Sequence, residues 1–225
     1  MLLFISGNAW AQQDDKVVYV LGQLDSIRKS PSVSRHFADI YFETTLGAVN
    51  FFSAADSKVQ GLIDRMEKRF ADYFFRSVYA HENSAVVPYE WKAYYADGTA
   101  PMLRYILFGI NAHINGDIWQ ALTTEFSLQE IRELKPWYFQ YQKGLLKDYR
   151  RIYNSALASS PKIKLLHVIS FGFDRAYGKI LLSRWRKRQM KLAELYYTNK
   201  PLFNKKLDKL HRKMDRLNKL IRKSI

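Results

Sequence analysis

The recurrence of apolar residues at helical spacing is the feature that most constrains the fold of this chain. Apolar side chains return every three or four positions through most of the 225 residues, which is the period of an α-helix. With only 10 Gly and 6 Pro, the chain has few of the turn signals that separate short strands. We therefore predict an all-α fold, a single-domain helical bundle with a basic C-terminal helix.

The predicted helices follow this periodicity and the capping residues at their starts. Ser127 followed by Glu130 forms a capping box, and Thr99 precedes Pro101 where another helix begins. We predict a break at Pro136, because proline lacks the amide hydrogen that a helix interior needs. The predicted helices are Lys16–Lys29, Val33–Ala54, Val59–Tyr79, Ala100–Phe126, Leu128–Ala158, Pro161–Tyr197 and Pro201–Lys223.

The composition and the first residues bear on chemistry and compartment. The chain has no cysteine, which excludes disulfides, iron–sulfur clusters, thiolate zinc sites and cysteine catalysis. Residues 1–11, MLLFISGNAWA, are a short apolar run that ends in the small-x-small pattern of a signal-peptidase site, although the usual positive charge is missing. We expect a truncated signal peptide, an exported protein (periplasmic or secreted) and a helical domain over residues 12–197. No segment approaches the roughly 18 apolar residues of a membrane span.

The positive charge is concentrated at the C-terminal end. From Lys179 to Ile225 there are 16 Lys and Arg against 3 Asp and Glu, and the rest of the chain is nearly neutral. Residues 198–225 are predicted to form a basic amphipathic helix, whose apolar stripe consists of Leu207, Leu210, Met214, Leu217 and Ile221. Such a helix can contact an anionic membrane surface or an acidic partner, or it can pack on the body through its stripe. Nucleic acid is a less favoured partner, because no recognition motif is present and export is expected.

The stretch FGINAHINGDIWQAL, residues 108–122, places polar residues in an apolar helix. At about 100° per residue, Gly109, Gly116, Asp117 and Gln120 all lie within roughly 60° of His113. Asn111 and Asn115 fall on the opposite side, among apolar residues. Because each glycine costs about 1 kcal/mol relative to alanine in a helix, we expect a close approach by another group beside His113.

Two other predicted helices carry comparable stripes. One contains His36, Asp39 and Glu43, and the other contains His167 and Asp174. If the three stripes converge, they form a nitrogen and oxygen donor set suited to Zn²⁺ or another divalent metal. The predicted metal ligands are then His113, Asp117, His36 and His167; the predicted catalytic residues are Glu43 and Asp174; the other site-lining residues are Asn111, Asn115, Gln120 and Asp39. A structural hydrogen-bonded network and a metal-free ligand or catalytic pocket are the alternatives.

The runs RHFADIYFETT, EWKAYYADGTAPMLRYILFGINAHI, GINAHINGDIWQAL and FGFDRAYGKILLSRWRKRQMKLAELYY resemble a bacterial and fungal family that is catalogued as a domain of unknown function. The element NAHxNxD is the most specific part of this resemblance, which covers about residues 20–197 and implies a shared helical fold without a known reaction. The basic segment after Tyr197 is expected to lie outside it.

A shorter resemblance has chemical content. HINGDIWQAL is similar to the H-x-x-G-D-[IV]-x-Q-P segment of the zinc-dependent phospholipase C and single-strand nuclease superfamily. This resemblance implies metal-ligand roles for His113 and Asp117 only. Trp119 and Ala121 depart from the superfamily pattern.

Two functions therefore compete at the level of sequence. The first is a metal-dependent hydrolase of a phosphodiester or related ester, with aromatic residues Trp91, Tyr94 and Tyr95 of the segment His81–Thr99 around the substrate mouth. The second is a non-enzymatic binding or interaction protein, with a structural polar core and a basic helix that contacts anionic surfaces or a partner.

Overall fold

The computed structural model describes residues 15–142 and 173–224, and every regular element in these ranges is helical. The prediction of an all-α single-domain bundle is confirmed. The elements are α1 (Asp15–Lys29), α2 (Arg35–Phe52), α3 (Ser57–Glu82), a 3₁₀ turn (Tyr89–Trp91), α4 (Lys92–Tyr95), α5 (Met102–Ala112), a π-helical turn (His113–Asp117), α6 (Ile118–Glu125), α7 (described over 128–142), α8 (Phe173–Thr198) and α9 (Lys200–Ser224).

Local sequence signals explain several helix ends. The Asp56 side chain accepts a hydrogen bond from the backbone amide of Val59 at 3.0 Å, which caps α3. Glu130 Oε2 accepts from the backbone amide of Ser127 at 2.8 Å, while Ser127 Oγ accepts from the amide of Glu130 at 3.3 Å, so the predicted capping box is formed. These caps satisfy amides that a helix start leaves without intrahelical partners.

The predicted break at Pro136 is wrong, because α7 continues through this residue. A proline in a helix interior costs about 3 kcal/mol. On either side of it, Ile131, Leu134 and Tyr138 are buried in the core. Burying side chains of this size stabilises by about 1.5–3 kcal/mol each, which is enough to offset the local cost.

One continuous apolar core joins the helices of the body. α1 packs against α2 and α3, α2 packs against α5, and α3 packs against α6. The centre of the core is aromatic: Phe37 makes edge-on ring contacts with Phe74 and Trp91 at 5.3 Å and 5.4 Å, and the rings of Phe74 and Trp91 make a tilted contact at 5.0 Å. The π-helical turn lies beside these rings, between α5 and α6.

The basic helix α9 is part of the bundle. It packs against α5 and α8, and its apolar stripe is turned inward, with Phe203, Leu210, Met214 and Ile221 all buried. Of the two arrangements open for this stripe, the structure shows packing on the body. None of the described helices is both long and apolar enough to cross a membrane.

Candidate functional site

The π-helical turn His113–Asp117 widens one turn of an otherwise continuous helix that runs from Met102 to Glu125. Such a turn is rare and occurs often at functional sites, because it changes the direction of the side chains that follow. Two glycines allow other groups to approach it. A Cβ atom on Gly109 would lie 2.5 Å from Cγ of Phe37, and one on Gly116 would lie 2.7 Å from Cβ of Glu90. The expectation of a close approach beside His113 is confirmed.

His113 is held in an aromatic cage and is 4% exposed. Its ring stacks on Phe70 with centroids 3.5 Å apart, and it contacts the rings of Tyr41 at 4.3 Å and Phe37 at 5.3 Å. These rings come from α2 and α3, which close over the π-helical turn. The imidazole therefore has a fixed position and orientation.

A hydrogen bond of 2.9 Å joins His113 Nδ1 to Asp117 Oδ2. The same carboxyl accepts a hydrogen bond from Trp91 Nε1–H at 3.1 Å, and Asp117 is 1% exposed. His113 Nε2 is also buried, and it has no hydrogen-bond partner in the described part of the chain. The imidazole is thus anchored through Nδ1, while Nε2 has no hydrogen-bond partner among the described residues.

Burial controls the protonation of this pair. Burial lowers the pKa of His113 well below its usual value. Burial, and then the charge of Glu90, raise the pKa of Asp117 well above its usual value, whereas the hydrogen bond from Trp91 acts in the opposite direction. The pair titrates as a unit: with a proton on Nδ1 alone it bears one negative charge, and uptake of a second proton at Nε2 makes it neutral. Burial opposes a charge on either group, so it keeps the imidazole neutral and leaves Nε2 unprotonated when the ring proton is on Nδ1.

A second group of polar side chains, in which Arg186 is buried and Glu67 is partly buried, lies next to the aromatic cage. The guanidinium of Arg186 lies 3.9 Å over the ring of Tyr138 and donates from Nη2 to the Tyr138 carbonyl at 3.4 Å. Burial raises the pKa of Glu67 to about 7, although the charge of Arg186 opposes this shift. The charge of Glu67 in turn contributes to the raised pKa values of Tyr41 and Tyr138, after burial itself. The cluster thus combines a cation, an acid that is half-ionised near pH 7, and two phenols.

Several polar atoms in this region are buried without a hydrogen-bond partner among the described residues. We call the region the central polar cluster and define it as Glu67 together with the residues of these atoms, which are Tyr41 Oη, Thr45 Oγ1, His113 Nε2, Tyr138 Oη, Gln142 Oε1, Arg186 Nε and Gln189 Oε1. Buried polar atoms without partners are uncommon in proteins. They belong to α2, the π-helical turn, α7 and α8, and with Glu67 of α3 they form the candidate site.

The two asparagines of the motif hold helices together. Asn111 Nδ2 donates to the carbonyl of Met214 at 3.2 Å and to Asn218 Oδ1 at 2.8 Å, which fixes α9. Asn115 Nδ2 donates to Asn111 Oδ1 at 2.9 Å, and Asn115 Oδ1 accepts from Gln189 Nε2 at 3.4 Å. Gln120 Nε2 donates to the carbonyl of Gly116 at 3.1 Å, within the same helical turn. Among these three, only Asn115 contacts the central polar cluster.

The structure brings together two of the predicted metal ligands, His113 and Asp117. His36 stacks on Tyr105 at 5.4 Å and is only partly buried. Asp39 and Glu43 lie beside Arg28 of α1, at 3.7 Å and 3.8 Å from its guanidinium. His167 lies outside the described residues, as does the side chain of Asp174. Within the described ranges, no three His, Cys, Asp or Glu side chains are grouped so that they could hold a metal ion.

Several residues of the candidate site were not found by sequence reasoning. Trp91 and Tyr94 were expected at a substrate mouth, but both are fully buried, because Trp91 reaches Asp117 and Tyr94 donates to the Val33 carbonyl at 2.8 Å. Glu67 had one available signal, a lone acid on the face of α3 that includes Ile63 and Phe70. The contacts of Arg186 join helices far apart in sequence and had no local signal.

Comparison with known proteins gives one match. Residues 15–224 match the model of a family of unknown function, DUF5995. No curated protein and no solved structure matches the chain. The match extends to residue 224, so the basic helix α9 lies inside the family, contrary to the expectation that the likeness ends at Tyr197.

Proposed function

Because the chain belongs to the DUF5995 family, for which no reaction is described, we propose from the central polar cluster that the protein is a hydrolase of a small anionic ester, such as a phosphodiester. The observation that carries this proposal is the anchored imidazole of His113. Its Nδ1 is bonded to Asp117 at 2.9 Å, and its Nε2 is buried without a partner among the described residues. A carboxylate that fixes a histidine while the other ring nitrogen stays available is the arrangement of a general base.

His113 and Asp117 together carry out the proton-accepting step. Nε2 takes a proton from the attacking water, and the imidazolium that forms is stabilised by Asp117, which remains unprotonated. The depressed pKa of His113 keeps the imidazole from being protonated before substrate binds. Trp91 Nε1–H holds the carboxyl in place throughout, through its bond of 3.1 Å.

The remaining cluster residues supply the complementary roles. Arg186 binds the anionic group of the ester and offsets the charge that develops in the transition state. Glu67, with a pKa of about 7, is partly protonated at neutral pH and donates a proton to the leaving oxygen. The phenols of Tyr41 and Tyr138 have no hydrogen-bond partner among the described residues and are available to orient the substrate.

A metal-dependent form of the same hydrolase is the second candidate. It is favoured by the His113–Asp117 bond, because a histidine that binds a metal usually donates its other N–H to a carboxylate. Nε2 is then the ligand, and Asp117 orients it without binding the metal. The described residues offer this one nitrogen ligand, so Zn²⁺ or another divalent ion would need further ligands such as His167 or Asp174.

The test is hydrolysis of nitrophenyl phosphodiesters and carboxylic esters by purified protein, with metal content measured on the same sample. Asp117→Asn is nearly isosteric, but its amide donates to Nδ1 and places the proton on Nε2, so turnover should fall by about three to four orders of magnitude. His36→Gln, outside the cluster, is the matched control and should retain activity. Chelation should leave turnover unchanged for the metal-free form and abolish it for the metal-dependent form.

Equal turnover by wild type and Asp117→Asn, with folding verified by circular dichroism, would refute a catalytic role for the pair. Failure to hydrolyse any of these esters would refute the hydrolase and favour the non-enzymatic binding role, in which the polar core is structural.

A further inference from the structure

The outward face of α9 is strongly basic. Nine Lys and Arg residues occur between Lys205 and Lys223, and all nine are exposed. At about 100° per residue, Lys206, Lys209, Lys213 and Arg216 lie within about 80° of one another around the helix. The apolar stripe of α9 is buried about 100° around the helix from the middle of this arc, so the cations are exposed as a consequence of how the helix packs.

Helix α8 extends the same face. Only Asn199 separates α8 from α9, and the two helices pack against each other. The charge of Arg188 is the largest of the influences that lower the pKa of Lys213, and Lys209 and Arg216 act in the same direction. Arg184 and Lys191 are exposed within about 60° of Arg188 on α8. The two helices therefore present neighbouring rows of cations, which we call the cationic face.

This charge is poorly compensated within the described part of the protein. Of the nine basic residues between Lys205 and Lys223, only Arg222 has an acidic partner there, Asp97 at 3.4 Å. The acidic residue Asp215 is exposed and accepts a hydrogen bond from Tyr89 at 2.8 Å. Mutual repulsion among the cations makes an anionic partner favourable.

We propose that the cationic face binds the surface of a bilayer containing anionic lipids. The face extends along a helix of about 37 Å and belongs to a packed helix pair, which suits a planar array of phosphate headgroups. Leu220 is 59% exposed and lies in the same arc as Lys213, where it can enter the headgroup layer. Binding is adsorption rather than insertion, because the apolar stripe is already used in the core.

Two observations favour lipid over nucleic acid. Six of the nine basic residues are lysines, which act as point charges and lack the bidentate geometry that arginine brings to base recognition. Phe203 of α9 is buried and packs against Trp119 at 5.5 Å, so it is not available for base stacking.

The test is co-sedimentation of the full chain with vesicles of phosphatidylcholine alone or mixed with phosphatidylglycerol, at low and at high salt. We expect binding to the mixed vesicles at low salt only, because screening removes the attraction at high ionic strength. Lys209→Gln with Lys213→Gln should weaken binding about 30-fold, since each lost charge near the surface weakens it about 5-fold. Arg35→Gln with Arg132→Gln removes the same charge from exposed positions elsewhere and should bind like wild type.

Equal weakening by the two double variants would show a general charge effect and overturn the cationic face as the site. Absence of binding to the mixed vesicles at low salt would overturn the proposal as well. Tighter binding to duplex DNA or to polyglutamate than to the mixed vesicles, under the same salt conditions, would replace lipid with that partner. None of these outcomes depends on hydrolase activity.

Discussion

Replacing Gly109 with alanine should destabilise the protein, although alanine is the better helix former. Gly109 lies within α5, where alanine would contribute about 1 kcal/mol in its favour. The added Cβ, however, would lie 2.5 Å from Cγ and 3.0 Å from Cβ of Phe37. The Phe37 ring cannot withdraw, because it is packed between Tyr41 at 5.8 Å, Phe74 at 5.3 Å and Trp91 at 5.4 Å.

The expected net effect follows from these two opposing contributions. Forcing extra atoms into a packed core costs about 1–3 kcal/mol, and more where the neighbour is a ring held on several sides. We therefore expect Gly109→Ala to lower the free energy of unfolding by about 2 kcal/mol. Because Phe37 also contacts His113 at 5.3 Å, the displacement would be transmitted to the aromatic cage.

Gly61→Ala is the matched control. Gly61 is helical, in α3, and a Cβ there would meet nothing within 4 Å. Only the helix propensity changes, so this variant should be stabilised by about 0.5–1 kcal/mol. The measurement is urea unfolding followed by far-ultraviolet circular dichroism. If Gly109→Ala were as stable as Gly61→Ala, the packing of Phe37 against α5 would be refuted.

Three other perturbations have defined outcomes in the same unfolding assay. The raised pKa of Glu67, from 4.5 to about 7, means that the folded state holds this proton more tightly, so its contribution to stability is present below pH 4.5 and is lost as pH rises through 7. Glu67→Gln should remove this decline, which amounts to at most about 3 kcal/mol, and an unchanged pH profile would contradict the raised pKa of Glu67. Asn111→Leu should cost about 2–3 kcal/mol, because it removes two bonds to α9 and leaves the Asn115 amide unpaired; a neutral effect would contradict those bonds. Truncation after Tyr197 should abolish cooperative unfolding, and a body that still unfolds cooperatively would show that α9 is dispensable.

The expected result of this truncation is the opposite of what the charge distribution alone suggests. The sequence shows a separate basic segment, and a body with its own apolar faces is then expected to fold without it. In the structure, truncation removes the four buried residues Phe203, Leu210, Met214 and Ile221. At about 1.5–3 kcal/mol each, their loss approaches the entire stability of a typical domain. Charge composition describes the exposed face of a helix and contains no information about what its opposite face contacts.

The helices and the His113–Asp117 pair could be predicted, because both depend on short sequence distances. A period of three to four residues identifies a helix, and the same period places residues 113 and 117 side by side. The hydrogen bond from Trp91 to Asp117 could not be predicted, because it depends on how the segment before α5 folds back. The influence of the Arg186 charge on Glu67 likewise depends on the tertiary arrangement of helices that are far apart in sequence. No local sequence pattern predicts which residues from distant helices meet in this way.

At the π-helical turn, the helical conformation could be predicted from the sequence, but the departure from α-helical hydrogen bonding could not. Helical spacing with an α-helical period correctly identified the segment Ala100–Phe126 as helical, yet five of its residues depart from α-helical hydrogen bonding. At this turn the chain also has Gly116, which weakens a helix, and Asp117, whose burial disfavours its charged form. A structural core could be made from apolar residues without these costs, since buried charged groups can often be replaced by apolar ones with no loss of stability. Costs that concentrate within five residues, next to a histidine whose Nε2 has no partner among the described residues, support the proposal that this turn is maintained for chemistry rather than for stability.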